Sequence, residues 1–210
     1  MLDSEEDDVI VYADAGCGIS TTPLAKHNLK EWVELVRVHP THRLALQMQY
    51  IEENYTKADV FHALGCAEEE FRKGGQHVGG IFFLMNTGEN RSFVAEWMKY
   101  CIEDRYRLVS DYPSRIPNPA AFKEHRHDQS LFSLLIKKYG AAVIPDDWLS
   151  PDMPIVALRR RERMNSWQKC RMEILRIRRR SLKKAADGLQ LYEGPVSPVF
   201  LNCLAKLAGS

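Results

Sequence analysis

Two groups of residues could do chemistry. Asp14 follows the run Val9, Ile10, Val11 and Tyr12 and precedes Ala15, Gly16, Cys17 and Gly18. A carboxylate at the mouth of a buried strand, among residues small enough to admit a bulky polyanion, can hold Mg²⁺ or Mn²⁺, hard ions that bridge to nucleotide phosphates. The plainer alternative is that Asp14 caps the next turn. The second group is His125-Arg126-His127-Asp128-Gln129-Ser130. In extended backbone the two imidazoles share a face, against which a metal or a sugar hydroxyl could lie; the alternative is an N-cap at Asp128 flanked by solvated histidines. Gly74 to Gly80 is neither a Walker loop, lacking the lysine-serine pair, nor a dinucleotide fingerprint, lacking a strand before it. It reads as an ordinary turn, or as a ligand-facing entry to a strand.

The elements that must position these residues alternate between strand and helix. Val9 to Tyr12 and Gly79 to Met85 are β-branched or apolar runs, expected as interior strands, and Ala141 to Pro145 as a short closing strand. Helices are expected over Pro23 to Val38, over Thr41 to Tyr55, and from a Thr56/Asp59 capping box to Gly65. Phe93, Val94, Trp97, Met98, Cys101 and Ile102 form an amphipathic face that should cover the sheet. Pro113, Pro117 and Pro119 require a loop, after which Asp128 caps a helix over Gln129 to Tyr139 that Gly140 ends. This alternation implies an α/β layered domain, with a ligand beyond the carboxyl ends of the strands, where Asp14 projects.

The chain has 210 residues, 45% hydrophobic and 27% charged, the composition of a soluble globular protein rather than of a collagen, a disordered chain or a disulfide scaffold. The five cysteines include no C-x-x-C pair and read as reduced thiols. No window suits a membrane span, and the start is acidic where a secretory signal is basic and then apolar, so a cytoplasmic location is expected. The net charge of +1 conceals an asymmetry. Residues 1–158 carry 16 Lys/Arg against 24 Asp/Glu, and residues 159–210 carry 13 against 4. The expected division is an α/β domain over 1–155 and a basic helical tail over 156–210, with a basic helix at 159–184. That helix is expected to pack through Trp167, Met172, Ile174, Leu175 and Ile177 on the acidic body, in preference to binding nucleic acid or lipid.

Taken in order, Asp8 to Cys17, Thr56 to Phe61, Gly79 to Phe83, Glu96-Trp97, His125 to Ser130 and Lys137 to Gly140 resemble a family of glycosyltransferase-like proteins with the A-type nucleotide-sugar (GT-A) fold, found among capsular-polysaccharide and viral sequences. The match covers about residues 8–145. The resemblance implies transfer of a hexose from a nucleoside diphosphate sugar to a glycan or other hydroxyl acceptor. It makes Asp14 the second acid of an Asp-x-Asp metal element, with Tyr12 in the place of the first. Asp128 and Gln129 correspond to the pair beside the donor sugar, and Gly79 and Gly80 line the same pocket. His125, Arg126 and His127 would act on phosphate or acceptor. In this fold a nucleotide-binding half of roughly one hundred residues precedes the acidic element, whereas 13 residues precede Asp14 here. A reduced or N-terminally truncated sheet is therefore expected, with a strand edge open to a second chain. The alternative is a non-catalytic glycosyltransferase-like fragment or interaction protein.

Overall fold

The structure is a computed structural model that describes residues 5–158 and 166–175. They belong to two compact units, one made of residues up to Asp14 and Leu29–Asp146, the other of Ala15–Asn28 and residues from Asp147 onward.

The first unit is α/β. Its four-stranded mixed sheet is formed by β1 (Val9–Ala13), β3 (Arg43–Ile51), β4 (Gly75–Met85) and β5 (Ala142–Pro145), in the order β1-β4-β3-β5. The β1–β4 and β4–β3 pairs are antiparallel and β3–β5 is parallel. No helix forms over Thr41 to Tyr55, contrary to expectation. Leu44, Ala45, Leu46 and Met48 are all buried there, and a near-continuous apolar run suits an interior strand covered on both faces. Only the end of that segment is helical, as the single turn α2 (Glu52–Tyr55).

Alternation along β4 decides which layer each residue joins. Phe82 and Leu84 face a core that includes Phe93 of α5 (Gly88–Tyr106), Leu131, Phe132 and Leu135 of α6 (His127–Tyr139), and Val60 and Phe61 of α3 (Ala58–Leu64). Phe82 stacks on Phe132 at 4.6 Å between ring centroids. Phe83 points the other way, onto Trp32 of α1 (Pro23–Val38), at 5.8 Å and 79°. Helices thus cover both faces of the sheet.

Helix ends are set partly as expected. Gly65 and Gly140 follow α3 and α6 with φ of 63° and 81°, values that favour glycine. The expected capping box is absent: Lys57 is the N-cap of α3, and Thr56 Oγ1 donates to Glu52 instead. Arg126, not Asp128, is the N-cap of α6, which leaves Asp128 in the first turn. In α5 the face presented to the core includes Phe93, Val94, Trp97 and Cys101, whereas Met98 and Ile102 are exposed. The helix α4 (Glu69–Lys73) completes the unit.

The polar tie that holds these elements together is buried. Glu52 has no exposed surface, and its carboxylate accepts from Thr56 Oγ1 (2.6 Å), Gln76 Nε2 (3.0 Å), Ser133 Oγ (2.5 Å) and Lys137 Nζ (2.8 Å). Four donors, from the α2–α3 junction, β4 and α6, saturate one charge, which is how a buried carboxylate is tolerated. Beside it His77 is 3% exposed; burial first, then the Lys137 charge, push its imidazole down to about 4.

In the second unit β2 (Cys17–Ile19) pairs antiparallel with β6 (Ile155–Ala157), and the amide of Asn28 donates to the carbonyl of Asp152. Residues 166–175 are helical, with Cys170 buried and Trp167 exposed. The remainder of the expected basic helix, 159–165 and 176–184, lies outside the described residues. Among the described residues no helix is long and apolar enough to cross a membrane.

Glu52→Ala leaves the Lys137 ammonium without a counter-charge, held only by the Phe71 and Gly74 carbonyls, and urea unfolding should show a loss of about 3 kcal/mol. The depressed His77 value sets a pH window of its own. Its contribution to stability is full above about 6.5 and is lost as pH falls toward about 4, because only the unfolded chain takes up the proton in that interval. The urea midpoint should therefore fall across this interval, and less steeply in His77→Leu.

Candidate functional site

The bend of β4 builds the floor of the site. Ala45 of β3 lies opposite Phe82, but Gln47 lies opposite His77, so two steps along β3 answer to five along β4. The surplus falls between Val78 and Ile81 and includes Gly79 and Gly80. Both glycines thus lie inside β4, which begins at Gly75, and not in a turn or at a strand entry. Bulges of this kind re-aim backbone and side chains, and glycine lets other groups come close. A Cβ on Gly79 would stand 2.9 Å from Gln129 Cα, and one on Gly80 would stand 2.4 Å from Asp14 Oδ2.

Asp14 is held in place from β1. Its backbone N–H donates to Gly80 O at 2.9 Å, continuing the β1–β4 ladder by one residue. The ring of Tyr12, two residues earlier and so on the same face, stacks on Phe82 at 4.7 Å. Its hydroxyl donates to Asp14 Oδ1 at 2.9 Å. Tyr12 thus orients the acid from the position the resemblance gives to a first acid.

Gln129 is fixed from the opposite side, and Glu52 decides which way round its amide lies. A carboxylate only accepts, so Gln76 must turn its NH₂ toward Glu52 and its Oε1 away. That oxygen accepts from Gln129 Nε2 at 2.9 Å, which turns Gln129 Oε1 to the Gly79 N–H at 3.3 Å. The buried charge is therefore coupled to the glycine floor through two amides. Asp128, one residue earlier, is exposed, and its carbonyl accepts from the Trp97 indole at 3.2 Å. Asp14, Gly79, Gly80 and Gln129 are thus brought together.

His125, Arg126 and His127 are directed elsewhere. The Arg126 guanidinium lies over Tyr55 at 4.4 Å and Tyr50 at 4.9 Å, and pairs with Glu124 at 3.0 Å. His125 and His127 are in ring contact, 5.5 Å apart and at 65°, and both line a pocket of about 350 Å³ with Lys57, Asp111, Tyr112 and Phe122. Neither Asp14 nor either glycine borders it. Burial pushes the His125 imidazole down to about 4. Burial likewise lowers the Lys57 ammonium, against the neighbouring Asp59 carboxylate. Lys57 Nζ donates to the carbonyls of Arg107 and Ser110. Asp59 opposes its own burial with donations from the Arg115 and Ile116 N–H groups and Ser114, which together hold its carboxyl below the usual range.

The chain matches no protein-family model, no curated protein and no solved structure. The site is therefore read from its own chemistry. Lys57 and Asp111 were not picked out by sequence reasoning, although the signal for Lys57 was present: a lysine between Thr56 and the buried residues of α3 is placed to turn inward.

The two glycines should respond differently to a methyl group. Gly79→Ala meets the backbone of α6 and should cost about 1–3 kcal/mol in thermal or urea unfolding. Gly80→Ala meets only the tip of the Asp14 side chain; it should leave stability nearly unchanged while displacing the carboxylate, visible as chemical-shift changes at Tyr12 and Asp14.

Proposed function

We propose that this protein transfers a hexose from a nucleoside diphosphate sugar to a hydroxyl acceptor, on a partial GT-A-like sheet with the donor lying along the Gly79–Gly80 floor. The observation that carries the reading is the approach of Asp14 Oδ2 to Gly80, in space that any side chain at position 80 would fill. A four-stranded mixed sheet with helices on both faces is compatible with a partial fold of that type. An oxygen donor beside bare backbone suits Mg²⁺ or Mn²⁺ carried in on a diphosphate, where one or two protein carboxylates suffice and phosphate oxygens supply other ligands.

Asp14 would hold that cation, whose contribution when bound is to neutralise charge on the departing diphosphate. The chain's own residues do the rest. Tyr12 fixes the rotamer of Asp14 through its hydroxyl. Gln129 keeps the Gly79 N–H engaged, so the floor presents backbone without an open donor turned inward. With the Gln129 amide bound to Gly79 and Gln76, Asp128 is the carboxylate of the pair left to orient the sugar. As the bond from the anomeric carbon to the diphosphate oxygen breaks, its electron pair leaves with the phosphate, and the acceptor oxygen bonds to that carbon as its proton passes to the departing diphosphate.

Calorimetry with nucleoside diphosphates, with and without Mn²⁺, tests the reading before any donor sugar is known. Binding should tighten with Mn²⁺ in the native chain and lose that linkage in Asp14→Asn, and donor-sugar hydrolysis by Asp14→Asn should fall about a hundredfold or more. Binding indifferent to Mn²⁺, or turnover unchanged in the variant, would remove the reading and leave the non-catalytic one.

A further inference from the structure

The pocket holding His125 and His127 is distinct from the Asp14 floor, and its donor and acceptor pattern specifies a ligand. His125 Nε2 lies 2.7 Å from Leu108 O. A carbonyl can only accept, so Nε2 carries the proton and Nδ1 is a bare acceptor, buried and without a protein partner. His127 Nε2 lies 2.8 Å from Asp111 Oδ1, and the same reasoning puts the proton on Nε2 and leaves Nδ1 an acceptor when the ring is neutral. The Asp111 carboxylate adds further acceptor capacity. The one lysine of the lining, Lys57, is 2% exposed and turned to two carbonyls.

With the Asp111 and Glu124 carboxylates on its lining and its cation occupied by the backbone, the pocket disfavours a phosphate and suits a ligand whose hydroxyls both donate to these acceptors and accept from the Asn118 amide, whose own oxygen is taken by the Ala58 N–H. The aromatic lining narrows the class further. Tyr112, 62% exposed, and Phe122 offer flat apolar surface to the C–H face of a ring, while the polar groups fix its hydroxyls.

We infer that this pocket binds a neutral sugar ring, its hydroxyls donating to Asp111 and His127 and its apolar face resting on Tyr112 and Phe122. Its assignment as the acceptor subsite rests on the transferase reading; sugar binding does not. A volume of about 350 Å³ suits a monosaccharide unit, the terminal residue of a glycan, and not a whole nucleotide sugar.

The test is NMR on the full chain, following the ring nitrogens of His125 and His127 during titration with methyl glycosides of glucose, galactose and mannose, and separately with inorganic pyrophosphate. At least one glycoside should shift both imidazoles saturably at millimolar concentration, and pyrophosphate should not displace it. Tyr112→Ala, a change at an exposed position, and Asp111→Asn should each weaken the titration about tenfold. If no glycoside shifts the rings, if pyrophosphate displaces the glycoside, or if both variants titrate like the native chain, the inference is overturned. Failure here combined with Mn²⁺-linked nucleotide binding at Asp14 leaves the transferase reading standing. Glycoside binding without that linkage removes the acceptor assignment and keeps the sugar site.

Discussion

The structure turns on one buried carboxylate. Glu52 sits at the end of β3 with no access to water, and it is tolerated because hydroxyl, amide and ammonium donors from Thr56, Ser133, Gln76 and Lys137 all reach it. Three separate stretches of chain supply these donors, so the carboxylate acts as a joint where α2, β4 and α6 are fastened together. An apolar residue of similar size would fill the space, but it would not fix the polarity of what surrounds it. That polarity is handed on through Gln76 and Gln129 to the Gly79 backbone, and so the fastening of the fold and the shape of the site are one network.

A second consequence concerns the division of labour within the segment from His125 to Gln129. In five residues the chain sends an imidazole toward Leu108, a guanidinium over a pair of tyrosines, an imidazole toward Asp111, a carboxylate outward and an amide toward β4. The positive φ of His127 (47°) accompanies this change of direction as the loop becomes a helix. Density of polar residues in a sequence therefore did not mean a single cluster in space.

Much of the layering was legible beforehand, because the apolar runs of β1, β4 and β5 and the helical spacing of Phe93 and Trp97 carry their own period. The strand β3 was not. Leu44, Ala45 and Leu46 have no alternation, since both sides of β3 are covered, and a run buried on two sides is locally indistinguishable from a piece of buried helix. The burial of Glu52 was not legible either: the lysine that neutralises it lies at position 137, and local patterning cannot register a partner so far along the chain. The meeting of Asp14 with Gly79 and Gly80 was implied by the family resemblance, while the strand ends by themselves placed only Asp14. The association of His125 and His127 with Lys57 and Asp111 was not legible, because those residues come from a helix start and a loop with no periodic signature.

The surplus residues between Val78 and Ile81 are unmatched only on the β3 side, because Ile81 pairs with Ala13 of β1 and Gly80 O accepts from the Asp14 N–H. Below them Gln76 and His77 are fastened to α6 and to Glu52; above them Phe82 to Met85 are locked on both sides by β1 and β3. A length change of one residue next to Val78 and Gly79 alters the bulge without reversing which way Phe82 and Leu84 face, whereas the same change among Phe82 to Leu84 would turn the aromatic core out to solvent. The part of β4 least constrained by β3 is thus the part that adjoins the floor beneath Asp14, which leaves the contour of that floor adjustable while the paired sheet around it stays fixed.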